Sequence, residues 1–262
     1  MPGWHRMSDA KAGRELTDDA FLGGRLHLLQ PRKGVRAGID AVFLAAAIPA
    51  AAGDHVLEAG IGAGAASLCL AARVTGLALT GAEIDAEAAA LARLNAGRNQ
   101  VHGLTVIEAD VTARGAVLAG QGILADAYDH VLANPPFYDV EAGSLSPLPG
   151  KSGAHAHRRG GLAAWIDFLV RCLKPRGTLT LVHRPEALAV ILAGLEGRAG
   201  AVSLRPLYPR PGAPAHRVLV RAVKASRAPL RLLPGLALQD ESGRYSKAAE
   251  AVLRHGEAFD LG

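Results

Sequence analysis

Short apolar runs alternate with amphipathic segments through most of the chain. Runs rich in Val, Leu and Ile predict strands over residues 56–59, 77–83, 104–108, 128–132, 177–182, 202–207 and 218–223. Apolar residues repeated every three or four positions predict helices over 39–48, 65–74, 86–99, 162–173 and 185–195. This alternation predicts an α/β fold with a doubly wound, mostly parallel seven-stranded sheet. Because no helix separates the last two strands, we expect an antiparallel edge strand.

The segments outside the alternating region divide the chain further. Residues 1–20 are polar and of mixed charge, so we expect a flexible tail. Residues 21–50 predict a hairpin with a basic turn at 31–34, followed by a helix. Residues 51–225 would form the catalytic domain, and 226–262 would be a C-terminal extension packed on it.

Charge is distributed unevenly along the 262 residues. The formal net charge is +5, yet residues 37–136 contain four Arg and no Lys against ten Asp and Glu. The segments 1–36, 137–184 and 205–262 are net positive. This asymmetry favours a polyanionic partner held by basic flanks. An Arg-rich surface without a partner is the alternative.

Composition also bears on where the protein works. Cys69 and Cys172 lie far apart in apolar segments, which indicates neither a disulfide framework nor a metal site. The polar N-terminus is unlike a secretory signal, and the longest apolar stretch, 41–52, is too short to span a bilayer. We expect a cytoplasmic protein with no membrane partner and no metal. His155 and His157 form a pair without a third ligand, so they do not change that expectation.

A glycine-rich loop follows the first strand of the alternating region. Gly60, Gly62 and Gly64 let the backbone approach a ligand at the N-terminus of the next helix. Gly60, Gly62 and Ala65 also match the dinucleotide pattern, so the glycines alone leave NAD open. Glu58 favours an ammonium group over a pyrophosphate, and it therefore favours S-adenosylmethionine.

The next two strands end in residues suited to a nucleoside. Glu83 lies about twenty residues after the loop, where an acid can bind two ribose hydroxyls. Asp110 is placed to accept from an adenine amino group, with Val111 beside the ring. These residues predict a nucleoside across the carboxyl ends of the strands.

The fourth strand of the alternating region runs into Asn134, Pro135, Pro136 and Phe137. The two prolines remove two backbone donors and end the strand. The Asn134 side-chain oxygen and the Pro135 carbonyl can each accept a hydrogen of an NH2 group, and Phe137 can stack on the ring that carries it. We assign catalysis to these four residues and place Asn134 beside the cofactor as well. A proline-rich turn is the structural alternative. The aperiodic segment 139–161 that follows predicts a lid.

Together these motifs resemble those of class I S-adenosylmethionine-dependent N-methyltransferases with an N-P-P-[YF] signature. The chain is similar to the bacterial tRNA adenine-N6 methyltransferases that modify a valine tRNA. The segments that carry the resemblance are 38–44, 58–64, 83–85, 109–110, 134–137, 215–219 and 245–246. The resemblance implies a Rossmann-like methyltransferase fold, S-adenosylmethionine as cofactor and methylation of adenine N6 in tRNA. Lys247 departs from the family, where an acidic residue is expected.

Further residues are assigned by position or by the resemblance. Asp40 is expected at the methionyl end of the cofactor or as the cap of its helix. The substrate-binding candidates lie at the ligand-bearing edge or in the basic flanks: Phe137, Arg158, Arg159, His183, Arg217 and Tyr245. Arg217 adjoins a strand and has a structural alternative, whereas Tyr245 rests on the resemblance alone. Trp165 lies on an apolar helical stripe and is interpreted as core.

Several other functions stay open at this point. The same NH2 geometry fits a glutamine amide of a release factor, guanine N2 of ribosomal RNA or adenine of DNA. The basic flanks favour nucleic acid over protein. A non-catalytic RNA-binding Rossmann domain or an NAD-dependent oxidoreductase would have no use for the Asn134 corner, and the sequence contains no Tyr-x-x-x-Lys.

Overall fold

The computed structural model describes residues 15–137 and 161–262 of the chain. The described strands are β1 (Leu16–Phe21), β2 (Leu26–Pro31), β3 (His55–Ala59), β4 (Ala78–Glu83), β5 (Leu104–Glu108), β6 (Tyr128–Ala133), β7 (Leu173–His183), β8 (Ala199–Tyr208), β9 (Arg217–Lys224), β10 (Arg231–Leu232) and β11 (Leu236–Ala237). The described α-helices are α1 (Ile39–Ala46), α2 (Ala65–Arg73), α3 (Ala86–Arg98), α4 (Gly115–Gly120), α5 (Gly161–Cys172), α6 (Leu188–Leu195) and α7 (Lys247–Leu253).

The central sheet contains the seven predicted strands in the order β5-β4-β3-β6-β7-β9-β8. Neighbours from β5 to β7 are parallel, whereas β9 is antiparallel to both β7 and β8. The predicted fold class is confirmed, with the antiparallel strand one place in from β8. The two-residue strands β10 and β11 add parallel pairs to the outer side of β8. This topology gathers the carboxyl ends of β3 to β7 at one edge of the sheet.

Each face of the sheet buries its own hydrophobic cluster. Val56 joins the cluster with α1, α2 and α7, whereas the next residue, Leu57, joins the cluster with α5 and α6. Successive side chains of a strand point to opposite faces, so a strand covered on both sides is apolar throughout. The unbroken apolar runs of the sequence follow from this double coverage.

The N-terminal hairpin differs from the prediction. β1 pairs with β2, and the turn between them lies at 22–25, where Gly23 and Gly24 have φ of +67° and +88°. The predicted turn at 31–34 is therefore wrong, and so is a flexible tail over residues 16–20. β1 was not predicted because it contains several polar residues. Asp19, for example, accepts a hydrogen bond from Arg36 at 2.6 Å on the exposed side of the hairpin. Residues 1–14 lie outside the described part of the chain.

The C-terminal residues pack against α1. The Phe259 ring meets the Phe43 ring edge-on with centroids 5.3 Å apart, and the Phe259 N–H donates to the Ala46 carbonyl at 2.8 Å. The boundaries of the four predicted segments otherwise stay a prediction. Within 15–137 and 161–262, no helix is long and apolar enough to cross a membrane.

Candidate active site

A cleft opens at the carboxyl ends of β3 to β6. Its empty space is about 730 Å³, including open solvent at its mouth. Seven of the predicted site residues line it: Gly60, Gly62, Glu83, Asp110, Val111, Asn134 and Pro136. Val35, Ile84, Thr112 and Trp165 also line it, and none of these four was predicted as a site residue.

The three glycines of the loop after β3 differ in their surroundings and in why glycine suits each position. Gly60 and Gly62 have φ of +67° and +55°, in the region that favours glycine. A Cβ on Gly60 would lie 2.7 Å from Cη2 of Trp165, so packing requires this glycine. A Cβ on Gly62 would meet no described atom within 4 Å and would occupy open cleft. Gly64 instead precedes the first turn of α2 with φ of +93°, and it is not part of the described lining.

The Glu83 carboxylate is held in place at the end of β4. It accepts from the backbone N–H of Gly62 at 2.9 Å, of Ile84 at 2.9 Å and of Asp85 at 3.0 Å. A carboxylate has about four acceptor positions, so these bonds leave capacity for a hydroxyl that enters the cleft. Glu83 is thus pre-oriented for the ribose contact that the sequence predicts.

The Glu58 carboxylate is hydrogen-bonded within the protein, and its predicted contact with the cofactor stays a prediction. Its Oε2 accepts from the Ser67 N–H at 2.9 Å and from the Ser67 hydroxyl at 2.5 Å. Burial raises the pKa of Glu58 to about 7, against the lowering effect of the Ser67 bonds. Because Glu58 is buried against α2 and is not part of the described lining, its observed role is to anchor the start of that helix.

The outer end of the cleft suits an aromatic heterocycle. Asp110 Oδ1 accepts from the Thr112 N–H at 2.8 Å and from the Thr112 hydroxyl at 2.6 Å, which fixes the carboxylate at the rim. Val111 is buried there, whereas Ile84 and Val35 are 39% and 63% exposed. Large exposed apolar side chains around a cleft favour a ligand that covers them. With the open Gly62 and the oriented Glu83, this end fits the nucleoside of S-adenosylmethionine.

An unsatisfied acceptor marks the corner after β6. Ala133 pairs with Ala59 on one side and with Leu181 on the other, which fixes the next residue, Asn134, at the sheet edge. The Asn134 Oδ1 atom is buried and has no hydrogen-bond partner among the described residues. Buried side-chain oxygens are nearly always hydrogen-bonded in folded proteins. The corner is therefore built to accept a hydrogen from a ligand.

Charged and aromatic groups surround Phe137. The ring of His183 meets it edge-on with centroids 5.1 Å apart, and the guanidinium carbon of Arg217 lies 4.4 Å from its centroid. The Arg184 guanidinium carbon lies 5.1 Å from the same centroid. Arg217 is held by Asp40, because its Nε donates to Asp40 Oδ2 at 2.7 Å. Asp40 therefore holds the Arg217 guanidinium beside the Phe137 ring.

The predicted capping role of Asp40 is wrong. The residue that precedes α1 is Gly38, which has no side chain to cap the helix, while Asp40 lies within the first turn. Its carboxylate instead accepts a hydrogen bond from Arg217, which lies 177 residues later in the sequence. Asp40 is also not part of the described lining of the cleft, so its predicted cofactor contact stays a prediction.

His183 is neutral at physiological pH. It is 3% exposed, and neither ring nitrogen has a hydrogen-bond partner among the described residues. Burial lowers the pKa of His183 to about 4, and the charges of Arg184 and Arg217 lower it as well. The side chain beside Phe137 is thus a buried, uncharged imidazole.

The other predicted substrate residues stay predictions. Arg158 and Arg159 fall outside the described residues, as does the predicted lid. Tyr245 forms an isolated bridge with Gln239 in the segment that follows β11. No cluster of three or more potential metal ligands occurs within the two described ranges.

The chain is similar to known methyltransferases in sequence and in structure. A family model, the methyltransferase small domain, matches residues 36–146. The tRNA1(Val) (adenine(37)-N6)-methyltransferase of Shewanella amazonensis is 30% identical over 222 residues, which cover 84% of this chain and 91% of that protein. A crystal structure of a predicted O-methyltransferase from Agrobacterium tumefaciens has a TM-score of 0.71 at 27% identity, covering 84% of this chain and 98% of that one. A methyltransferase from Pyrococcus furiosus shares the fold with a TM-score of 0.53 at 19% identity, covering 76% and 88%.

These matches confirm the predicted enzyme class and cofactor. The similarity to the Shewanella enzyme spans both the cofactor cleft and the C-terminal half, beyond the segment that the family model covers. The chain is a member of the family of tRNA1(Val) (adenine(37)-N6)-methyltransferases and is an S-adenosylmethionine-dependent methyltransferase.

Proposed function

We propose that this protein methylates N6 of an adenine in tRNA. The observation that carries the proposal is the buried, unpartnered Oδ1 of Asn134 beside the cofactor cleft. An exocyclic amine supplies the missing hydrogen. The names of the similar enzymes supply the choice of adenine and tRNA.

The chain's own groups orient the acceptor. Asn134 Oδ1 and the Pro135 carbonyl accept the two hydrogens of the amine, so its lone pair points out of the ring plane. S-adenosylmethionine, when bound, supplies a methyl group on a positively charged sulfur. Catalysis of this transfer is mostly alignment of the two reactants, and good alignment lowers a barrier by as much as ~7–11 kcal/mol. No residue needs to remove a proton before the nitrogen attacks.

Phe137 and its neighbours support a nucleobase as the acceptor. A base stacks on an aromatic ring, whereas a glutamine amide gains little from one. The guanidinium groups of Arg184 and Arg217 both lie close to the Phe137 ring, Arg217 is held there by Asp40, and His183 adds no charge. Such a site favours a base attached to phosphates. A base in folded RNA must also leave its stack to reach this corner.

The test is a labelling experiment with a matched pair of variants. Purified protein and radiolabelled S-adenosylmethionine are incubated with total RNA and, separately, with total protein from a strain that lacks the gene. We expect label in the tRNA fraction, lost on ribonuclease treatment and recovered as N6-methyladenine after digestion. Asn134→Ala should abolish labelling with unchanged cofactor affinity, whereas Asn134→Asp, which keeps an acceptor oxygen, should retain part of it. Label that stays in protein after ribonuclease would replace tRNA by a glutamine acceptor.

A further inference from the structure

We infer that Asn95 is a positioning residue for the cofactor: its side chain fixes the glycine-rich loop after β3 and ties that loop to the N-terminal hairpin. Asn95 lies in α3 and is fully buried, at 0% exposure. It is not among the described residues that line the cleft, so it acts through the loop and not on the ligand itself. The inference concerns the cofactor and is independent of which molecule accepts the methyl group.

The Asn95 amide is engaged by backbone groups of two other segments. Its Oδ1 accepts from the Leu29 N–H at 2.8 Å, and its Nδ2 donates to the Leu29 carbonyl and to the Ala63 carbonyl, both at 2.9 Å. Leu29 belongs to β2, and Ala63 lies between Gly62 and Gly64 in the loop after β3. The other buried residues of α3 are alanines. Burying an amide on such a face is unfavourable unless it is hydrogen-bonded, so these bonds hold the three segments in one arrangement.

The Ala63 carbonyl depends on Asn95 because its helical partner is engaged elsewhere. The N–H four residues later belongs to Ser67, and helical spacing would direct it to the Ala63 carbonyl. It donates instead to the Glu58 carboxylate at 2.9 Å. Gly62, which lines the cleft, precedes Ala63, and a glycine gives the backbone little stiffness of its own. Holding the Ala63 carbonyl therefore fixes the part of the loop that meets the cofactor.

The hairpin that Asn95 holds also leads to the cleft. Val35 follows β2, which ends at Pro31, and it lines the cleft with 63% of its surface exposed. Asn95 therefore joins two walls of the cleft, the loop after β3 and the segment that follows the hairpin. A cofactor bound between these walls should stabilise the Asn95 bonds, and these bonds should strengthen cofactor binding, because such coupling is reciprocal.

One turn later in α3, Asn99 binds β2 in the same way without contacting the loop. Its Oδ1 accepts from the His27 N–H at 3.0 Å, and its Nδ2 donates to the His27 carbonyl at 2.8 Å. Nδ2 also donates to the Asn95 carbonyl of its own helix at 2.8 Å. Four helical residues rise about 6 Å and two strand residues about 6.6 Å, so the two asparagines match the spacing of Leu29 and His27. The two side chains therefore differ in whether they also hold the cofactor loop.

Calorimetry on this matched pair tests the inference. Asn95→Ala and Asn99→Ala each remove two bonds to β2, so both should lower the urea concentration at the midpoint of unfolding. Affinity for S-adenosylhomocysteine is measured at low temperature, on protein that circular dichroism shows to be folded. We expect Asn95→Ala to bind about tenfold more weakly, because the loop carbonyl is released, and Asn99→Ala to bind within about twofold of the unchanged protein. Equal affinities of the two variants, whether weakened or not, would overturn the inference.

A second measurement applies even if Asn95→Ala does not fold. In the unchanged protein the Leu29 N–H is bonded to Asn95, and the His27 N–H is bonded to Asn99. Addition of S-adenosylhomocysteine should slow amide hydrogen exchange by about tenfold at Leu29 and by less than about threefold at His27. Equal slowing at both positions, or none at Leu29, would show that Asn95 does not couple the loop to the hairpin.

Discussion

Adding one methyl group at Gly60 and at Gly62 should separate folding from ligand binding. Both residues have a left-handed backbone, so alanine costs roughly 1–2 kcal/mol of stability at either position. At Gly60 the new Cβ would also lie 2.7 Å from the buried Trp165 ring, and such overpacking costs a further ~1–3 kcal/mol. At Gly62 the new Cβ meets no described atom within 4 Å. We therefore expect Gly60→Ala to lower the free energy of unfolding by about 2–5 kcal/mol and Gly62→Ala by about half as much or less.

Cofactor binding should rank the two variants in the opposite way, once each is measured on folded protein. The Gly62 methyl group would occupy space in the cleft that a ligand backbone contact requires, and Gly62→Val should weaken binding further. Denaturant unfolding gives the stabilities, and calorimetry with S-adenosylhomocysteine at low temperature gives the affinities. If Gly62→Ala binds the ligand as tightly as the unchanged protein, the open space at Gly62 is not a ligand site. If both variants unfold at the same denaturant concentration, the contact between Gly60 and Trp165 is not a tight one.

Four other substitutions test three separate parts of the structure. Phe137→Leu should lower kcat/KM for RNA by about ten- to a hundredfold, since stacking of a base contributes ~1–3 kcal/mol, while calorimetry shows unchanged cofactor affinity; a drop in cofactor affinity instead would move Phe137 out of the acceptor site. Asp40→Asn should lower kcat/KM about tenfold by loosening Arg217 above Phe137, and Arg217→Lys should do the same; wild-type rates in steady-state assays would make the pair structural. Glu58→Gln should remove a pH dependence of stability. In the folded protein the pKa of Glu58 is about 7, against an ordinary value of 4.5. Between these two pH values the folded state therefore holds a proton that the unfolded chain has lost. From pH 4.5 to 7, the free energy of unfolding of the unchanged protein should fall by about 3 kcal/mol more than that of the variant. Urea unfolding at several pH values measures this difference. If the free energies of the two proteins change with pH in the same way, the pKa of Glu58 is not raised.

Local sequence signals predicted several residues that line the cleft. Glu83 and Asp110 each follow an apolar strand, and the carboxyl ends of neighbouring parallel strands must meet at one edge. The proline pair after Asn134 ends its strand wherever the fold places it, because proline has no N–H to continue the ladder. Such features depend on a few adjacent residues, so they can be inferred without knowing the rest of the fold.

Contacts between residues far apart in the sequence could not be predicted from such local signals. Asp40 binds Arg217 because α1 and β9 meet in space, and no periodicity relates residues 177 positions apart. Trp165 falls on an apolar stripe, which predicts burial but cannot distinguish a core neighbour from a cleft wall. β1 was missed because its polar residues are satisfied by arginines from other elements, including Arg98, which donates to Asp18 at 2.6 Å.

The insertion of β9 between β7 and β8 gives the protein an order of assembly during synthesis. Strands β3 to β6, which carry the cofactor cleft, are complete once residue 133 has been made. One long edge of β7, which ends at His183, stays unpaired until β9, which ends at Lys224, has left the ribosome, and Arg217 reaches Phe137 only then. Translation should therefore produce a nascent chain that has its cofactor cleft before its acceptor site. A ribosome that pauses before β9 has emerged would leave this edge of β7 open to pairing with another chain.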